Sequence, residues 1–482
     1  MKTDNNFRYV TLANEIETGI MDGTFSPGDK LPSLRKLHGQ LGLSVSTIHQ
    51  AYIELEKRGR VEAREKSGFY VKALHSVLLG APVRHKTESK PCRVSVNDLA
   101  QTIVADLQNE KILPLGAAIP SNDLMPLKQL SRIMKSIPSS EMQLHLSKYD
   151  YCQGDPELRE QLSKKMLSTG CAVNGDNIIT SSGCMDSVSL CLRAVAGPGD
   201  TILVESPVFH CFLQLIEDLN MYVLEIPGCP ETGIDPAAFE KALATNTVKA
   251  CLLNPNFQNP LGSVIPSKNK QRIVKIAARY DIPIIEDDIY TDLYYGQKRP
   301  STLKRYDTRG MVLYCSSFSK TLAPGFRAGW ISPGRFYDKI IRLKLNSYIS
   351  NASITHTVIA QFMKSGAYDR HLRRLRNQVK NQASAVAIAI SKYFPPHTKI
   401  TFPTGGMFIW VELPQNVDSM EVYHEAYKRR ISVLPGILCS STDRFSNCLR
   451  INCGQKWSPR IENAINTIGK IVKHFEKQRT NH

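Results

Sequence analysis

The sequence predicts an α/β chain headed by a winged helix-turn-helix, and three observations carry that expectation. Beyond residue 110, short apolar runs alternate with helix-length segments, the pattern of a largely parallel sheet with covering helices. Before residue 74, apolar residues recur at helical spacing in three short blocks and are followed by a hairpin pattern. Between them the chain loses periodicity and collects Gly, Pro, Lys and Ser around Gly80-Ala-Pro and Lys86 to Pro91. The organisation expected is therefore an N-terminal module at 1–74, a linker at 75–110 and a second region at 111–482.

In the first module, Tyr9, Leu12, Ile16 and Ile20 define an amphipathic helix that stops at Asp22-Gly23 and the loop Ser26 to Asp29. Pro32-Ser33 then opens a shorter helix with Leu34, Leu37 and Leu41 as its apolar stripe, closed by Gly42. Ser44 is the expected N-cap of a third helix, whose Val45, Ile48, Tyr52 and Leu55 face inward until Gly59. Two helices joined by a tight turn form a helix-turn-helix, in which the second enters the major groove by its N-terminal end. This puts Ser44, Ser46, Thr47, His49 and Gln50 near base edges and phosphates. Val61 to Ala63 and Phe69 to Val71, flanking Arg64 to Gly68, read as the β-hairpin wing.

Composition narrows the remaining classes. The chain has 482 residues, 42% of them hydrophobic, enough for a sizeable core in more than one domain. Met1 to Phe7 is polar and no apolar run reaches membrane-spanning length, so neither a leader nor a span is expected and the cytoplasm is the expected location. Twelve cysteines include no Cys-x-x-Cys pair, which argues against zinc and against a disulfide framework. The net charge of +17 suits a polyanionic partner, yet residues 1–74 hold 11 Lys/Arg against 9 Asp/Glu. The excess lies at 299–380, with 16 Lys/Arg and 3 Asp/Glu, including His371-Leu-Arg-Arg-Leu-Arg376. That segment is either a solvated helix face or a surface for nucleic-acid phosphates.

In the second region, strands are expected at Asn177 to Ser181, Thr201 to Glu205, Ala250 to Asn254, Ile282 to Asp287 and Val312 to Ser316. Ligands of such sheets gather at the carboxyl ends of the strands. Ser182 to Ser187 follows the first of these and opens a helix, whose amides and dipole suit a phosphate. Asp287 ends a strand too apolar to hold carboxylates without a task, and a carboxylate beneath a pyridine ring keeps its nitrogen protonated. Lys320 comes 33 residues later, after one further helix and strand, among Ser317, Ser319 and Arg327. An amine beside hydroxyls and an arginine is the chemistry of a pyridoxal phosphate site, with the lysine for the aldehyde and the others for the phosphate.

Two resemblances follow from these motifs. Gly23 to Arg35, Leu41 to Thr47, Leu55-x-x-x-Gly59 and Gly68 to Val71 resemble the winged helix-turn-helix of GntR regulators, which implies phosphate contact by Arg35 and wing roles for Lys66 and Gly68. From about Leu113 onward the chain resembles fold-type I aminotransferases, and with its head it resembles the MocR subgroup. Leu115 to Pro126, Tyr149-x-x-x-x-Gly154, Asn254 to Gly262, Phe402 to Trp410 and Leu449-Arg450-Ile carry this. The resemblance implies a large, mostly parallel domain with a smaller α+β C-terminal subdomain. It implies pyridoxal phosphate bound as a Schiff base to Lys320, with Asp287 at the pyridine nitrogen and Asn259 and Tyr290 at the ring hydroxyl. It further implies Gly183, Cys184, Ser317, Ser319 and Arg327 around the phosphate, Phe209 stacked on the ring, and Arg450 on a ligand carboxylate. Tyr149 would reach a neighbouring subunit's phosphate, which implies a homodimer.

The chain departs from that pattern in three ways: Ala118 where glycine is usual, Phe209 without a phenol, and Cys184-Met185 in place of more polar residues. Two functions are compatible with the rest. In one, the chain binds a double-stranded DNA operator and responds to pyridoxal phosphate or an amino compound bound to it. In the other it is an aminotransferase with an accessory head, which requires Lys320 to move protons.

Overall fold

A computed structural model of the protein describes residues 8–21, 24–25, 29–64, 67–71, 79–83, 90–94, 106 and 109–480. Helices α1 (Arg8–Met21), α2 (Leu34–Leu41) and α3 (Val45–Lys57) pack around Leu12, Ile16, Ile48, Tyr52 and Leu55, and strands β1 (Val61–Arg64) and β2 (Gly68–Val71) pair antiparallel beside them. Local chemistry sets the helix ends. Ser33 Oγ accepts from Lys36 N at 3.3 Å, Gly42 closes α2 in the left-handed region at φ 66°, and Ser44 Oγ accepts from Thr47 N at 3.1 Å. Two expectations fail here. Val45 does not face inward but is 41% exposed, and Leu41 is 48% exposed, because the first turn of α3 and the end of α2 project beyond the small core. Asp22-Gly23, Ser26 to Gly28 and Lys66 lie outside the described residues.

The stretch 75–110 is described only in part. Cys92–Arg93 (β3) pairs antiparallel with Tyr222–Cys229 (β7), adding an edge strand to the main sheet, and Ile400 N donates to Gly80 O at 3.0 Å. Of Asn97 to Leu107, where a helix was one expectation, Asp106 alone is described.

Among the described residues the main sheet has nine strands in the order β3-β7-β6-β9-β10-β11-β12-β5, with β8 (Gly233–Ile234) paired to β7. Here β5 is Ile179–Ser181, β6 Thr201–Ser206, β9 Ala250–Leu253, β10 Ile284–Asp287, β11 Val312–Ser317 and β12 Gly329–Ser332. The pairs β7-β6, β6-β9, β9-β10 and β10-β11 are parallel, as expected from strands buried on both faces. Strand β12 runs antiparallel to both β11 and β5, so β5 points the same way as the parallel set. The carboxyl ends of β5, β6, β9, β10 and β11 thus share one edge.

A further correction concerns the link from Asp287 to Lys320. No α-helix separates β10 from β11; two single turns of 3-10 helix, Thr291–Leu293 and Lys304–Tyr306, replace it. Gly296 and Pro300 interrupt the segment, and its polar groups are bound locally, as when Glu286 accepts from Leu303 N and Lys304 N.

The smaller subdomain is a four-stranded antiparallel sheet of Lys399–Ile400 (β13), Phe408–Glu412 (β14), Cys448–Asn452 (β17) and Leu434–Pro435 (β16). Helices Ala367–Tyr393, Ser419–Lys428 and Pro459–Thr480 contribute Ile390, Val422, Ile465 and Ile468 to its core. Leu113–Pro114 (β4) pairs with Ile431–Ser432 (β15), joining the chain's approach to the main sheet with the last subdomain.

Candidate functional site

The strand ends assemble the site. After β5, Gly183 turns the chain into helix Cys184–Val195 with φ 111°. A Cβ there would lie 2.7 Å from Arg327 Nη2, so glycine is required both for its backbone angle and for the arginine's approach. Arg327 itself sits in the left-handed region at φ 48° and donates to Ser182 O at 2.7 Å, with no carboxylate partner among the described residues. Ser317 and Ser319 are buried at the end of β11, where Ser317 Oγ accepts from Ser319 N. A helix N-terminus, two hydroxyls and an unneutralised guanidinium make a cradle for a phosphate.

Asp287 ends β10 at 5% exposure. Its Oδ1 accepts from Cys184 Sγ at 3.1 Å and from Ile289 N at 3.2 Å, and no cation bonds it among the described residues. Burial pushes its pKa up to about 6 despite both hydrogen bonds. A buried carboxylate held only by a thiol and an amide is suited to a protonated ring nitrogen. Lys320, partly buried, has its amine lowered to about 8, chiefly by burial and then by the charge of Arg450. A sizeable fraction of the amine is therefore neutral, and nucleophilic, near physiological pH.

The opposite wall comes from the other strand ends and the small subdomain. Asn259 Nδ2 lies 3.4 Å from the Tyr290 hydroxyl, while Asn259 Oδ1 accepts from Arg450 Nη1 at 2.6 Å. Arg450 Nη2 donates to Gly116 O at 2.5 Å, and its buried Nε has no partner among the described residues. A guanidinium at 2% exposure with no carboxylate bonded to it is an open demand for an anion. Burial raises the Tyr290 phenol well above its ordinary range, so it remains a hydrogen-bond donor.

The structure thus brings together Gly183, Cys184, Asp287, Asn259, Tyr290, Ser317, Ser319, Lys320, Arg327 and Arg450. Phe209 caps the helix His210–Asp218 after β6, packed edge-on against Phe212 at 5.3 Å. Tyr149 does not join the set in this chain and is 80% exposed. In the N-terminal module, Arg35, Ser44, Ser46, His49, Gln50 and Gly68 are exposed and Thr47 is half-buried. His49 also lies edge-on to Phe69, 6.1 Å between centroids, tying α3 to the hairpin.

Two groups escaped the sequence reading. Glu205 is buried near Asp287, accepts from Asn254 N at 3.1 Å, and has its pKa pushed up to about 8 by burial. It lies one residue before the end of apolar β6, and the reasoning applied to Asp287, extended to Thr201 to Glu205, would have found it. His210 is buried beside Phe209 with neither ring nitrogen bonded among the described residues, and burial lowers its pKa to about 3. It is neutral, and nothing in sequence spacing marked it.

Comparison with known proteins agrees with this geometry. Residues 110–468 match the model of aminotransferase class I and II, and residues 8–71 match that of bacterial regulatory proteins of the gntR family. The chain is 37% identical over 465 residues to the HTH-type transcriptional regulator YjiR of Escherichia coli, covering 96% of this chain and 98% of the relative. It is 34% identical to the HTH-type transcriptional regulator YdcR of the same organism, covering 97% and 99%. Among solved structures, Pyrococcus horikoshii kynurenine aminotransferase in complex with PMP superposes with a TM-score of 0.72 at 26% identity, covering 79% of this chain and 95% of that one.

Proposed function

The chain belongs to the aminotransferase class I and II family and carries a gntR-family head, and from that premise we propose that it is a pyridoxal phosphate-dependent, DNA-binding transcriptional regulator of the MocR type. The observation that carries this reading is the coexistence in one chain of an exposed recognition-helix N-terminus and a ligand pocket that keeps a half-buried lysine with a buried carboxylate and arginine.

Pyridoxal phosphate supplies an aldehyde for amines and an electron-withdrawing ring. The residues of the pocket would divide the work of holding it. Lys320 would provide the amine, Asp287 would face the ring nitrogen, and Asn259 with Tyr290 would face the ring hydroxyl. Gly183, Cys184, Ser317, Ser319 and Arg327 would hold the phosphate, Phe209 would cover the ring, and Arg450, whose Nε has no partner among the described residues, would take the carboxylate of an amino compound. Such a ligand regulates if it binds two states of the protein unequally, and no turnover is needed. Turnover remains the second reading, favoured by the Lys320 amine, whose pKa near 8 suits it to moving a proton.

The exposed Tyr149 supports a homodimer in which each copy completes the other's phosphate site. Exposure of Arg35, Ser46, His49 and Gln50 supports an operator of double-stranded DNA, with Ser44, Thr47, Lys66 and Gly68 completing the contact. The boundaries we assign are 1–74 for the DNA-binding module, 75–110 for the connection and 111–482 for the ligand-binding region. No helix among the described residues is long and apolar enough to cross a membrane. A regulator of operator DNA belongs in the cytoplasm.

The test is a spectral screen of amino compounds against the bound cofactor, run beside an operator shift assay. A regulator changes spectrum and DNA affinity with the same compound; full conversion of the cofactor to its amine form without any change in DNA binding would establish the enzyme instead.

A further inference from the structure

A second cavity, of about 500 Å³, opens on the outer side of the main domain between helix Pro156–Ser168, the turn Thr291–Leu293 and helix Ala367–Tyr393. Its lining includes five cations, Lys164, Lys165, Arg299, Arg373 and Arg376, against the carboxylates of Asp292 and Asp369. The basic run read from sequence therefore splits by direction. His371 turns inward to Thr321 O at 2.8 Å, Arg374 faces solvent, and Arg373 and Arg376 face this cavity.

The cations are only partly neutralised in place: Lys164 Nζ holds a solvent-exposed pair with Glu160 at 2.6 Å, whereas Arg373 and Arg376 have no carboxylate partner among the described residues. Asp292 is shared by Lys165 Nζ at 2.5 Å and Arg299 Nε at 3.1 Å. Arg376 donates Nε to the Asp292 carbonyl and Nη1 to the Tyr294 hydroxyl, both at 2.8 Å, and lies 4.0 Å over the Tyr294 ring. Its Nη2, and the whole guanidinium of Arg373, have no acceptor among the described residues. Fixed guanidinium donors beside ammonium groups are the chemistry that receives a phosphate.

The floor of this cavity adjoins the Lys320 pocket. Tyr368 OH lies 3.0 Å from Thr321 Oγ1 and 3.5 Å from Asp292 Oδ2, and Lys165 Nζ sits 5.2 Å from the Tyr368 ring centroid. Thr321 follows Lys320 in the chain. On the other side Arg299 joins Asp292 to Asp288, at 2.9 Å, and Asp288 follows Asp287. An anion that draws Lys165 away from Asp292 changes what holds the neighbours of both residues.

We propose that this cavity is a second binding site, for a phosphate-type oxyanion, and that its filling is felt at the Lys320 pocket through Asp292, Tyr368 and Thr321. The phosphate is either a free small anion or a backbone phosphate of duplex DNA, and the two sources are separable.

Full-length protein carrying its cofactor, so that the cofactor's own cradle is filled, is titrated with inorganic phosphate by calorimetry. The expected result is one phosphate per chain, bound about tenfold or more weakly by the Lys164→Gln/Arg373→Gln variant, as loss of two charged hydrogen-bond donors requires. Both substituted side chains are exposed, so folding is retained. Phosphate should also shift the cofactor absorption of the wild type and not that of Tyr368→Phe, with binding preserved in the latter. In a second arm, random-sequence duplex is bound at several salt concentrations. A silent calorimeter with a salt slope shallower by about two in the double variant assigns the site to backbone phosphate. If neither phosphate nor duplex distinguishes the double variant from wild type, there is no oxyanion site, and an unshifted wild-type spectrum at saturating anion overturns the coupling.

Discussion

Cys184 Sγ donates to Asp287 Oδ1 at 3.1 Å, so the loop we propose as the phosphate cradle also holds the carboxylate we propose for the ring nitrogen. This thiol and the Ile289 amide are the donors that reach Asp287, and they do not offset its burial. The carboxylate is held ready for a partner that the protein alone does not supply.

Cofactor-free protein should therefore be stabilised by Asp287→Asn above neutral pH. Folding raises this acid from 3.8 to about 6, so its ionised form is disfavoured in the native state. The penalty is absent below the unfolded value, grows as pH rises through the interval, and is complete above the folded value at up to about 3 kcal/mol. Urea denaturation of the cofactor-free forms should show the variant more stable at about pH 8, with the difference gone below about pH 4. A variant less stable than wild type at the higher pH would show that Asp287 is not held at a cost. Cofactor affinity should fall in the same variant.

Lys320→Ala should abolish covalent attachment of pyridoxal phosphate. Borohydride reduction followed by mass measurement should add the cofactor to the wild-type chain and not to the variant. Because the neutral amine is the nucleophile, the rate of capture should rise with pH and reach half its maximum near the lowered pKa of about 8. Unchanged labelling of Lys320→Ala would remove the residue from its assigned role.

Part of this pocket was legible because its residues sit at strand ends, where apolar runs give way to polar motifs; Asp287 and Ser317 are of that kind, whereas Asn259, six residues past β9, came from the resemblance alone. The N-caps Ser33 and Ser44 were equally legible, since capping is local. What depended on three-dimensional packing was not. Val45 has the helical spacing of a core residue, yet α3 extends its first turn past the core. The segment between Asp287 and Lys320 has the length of a helical crossover, but buried Glu286 and Asp288 bind its backbone and side chains instead. The run His371 to Arg376 reads as basic, with Leu372 and Leu375 its apolar members, and burial of His371 beside them could not be read from that pattern.

Replacing Arg450 by methionine should weaken ligands bearing an α-carboxylate and spare cofactor binding. Truncating one partner of a buried, hydrogen-bonded charge pair costs about 2–5 kcal/mol, at least about thirtyfold in affinity. Simple amines without a carboxylate provide the control and should bind both proteins alike. Lysine at the position should rescue little, because one ammonium cannot reproduce a guanidinium that also reaches Asn259 and Gly116. Equal loss for amines and amino acids would mean that Arg450 shapes the pocket through Asn259 and does not bind the carboxylate.

DNA recognition should separate into two kinds of contact. Arg35 is exposed on α2 and is proposed as a phosphate contact, so Arg35→Ala should weaken operator and random duplex together and reduce the salt slope by about one. His49 and Gln50 are exposed on α3, and replacing Gln50 by alanine should cost about 1–3 kcal/mol on the operator alone. His49 also packs against Phe69, so His49→Ala should loosen the wing and affect both duplexes, whereas His49→Phe should restore the packing and lose only operator preference. Fluorescence anisotropy at several salt concentrations measures all four, with the cofactor absorption as the check that the second region is intact. A salt slope unchanged by Arg35→Ala, with operator affinity unchanged by Gln50→Ala, would take α2 and α3 off the DNA.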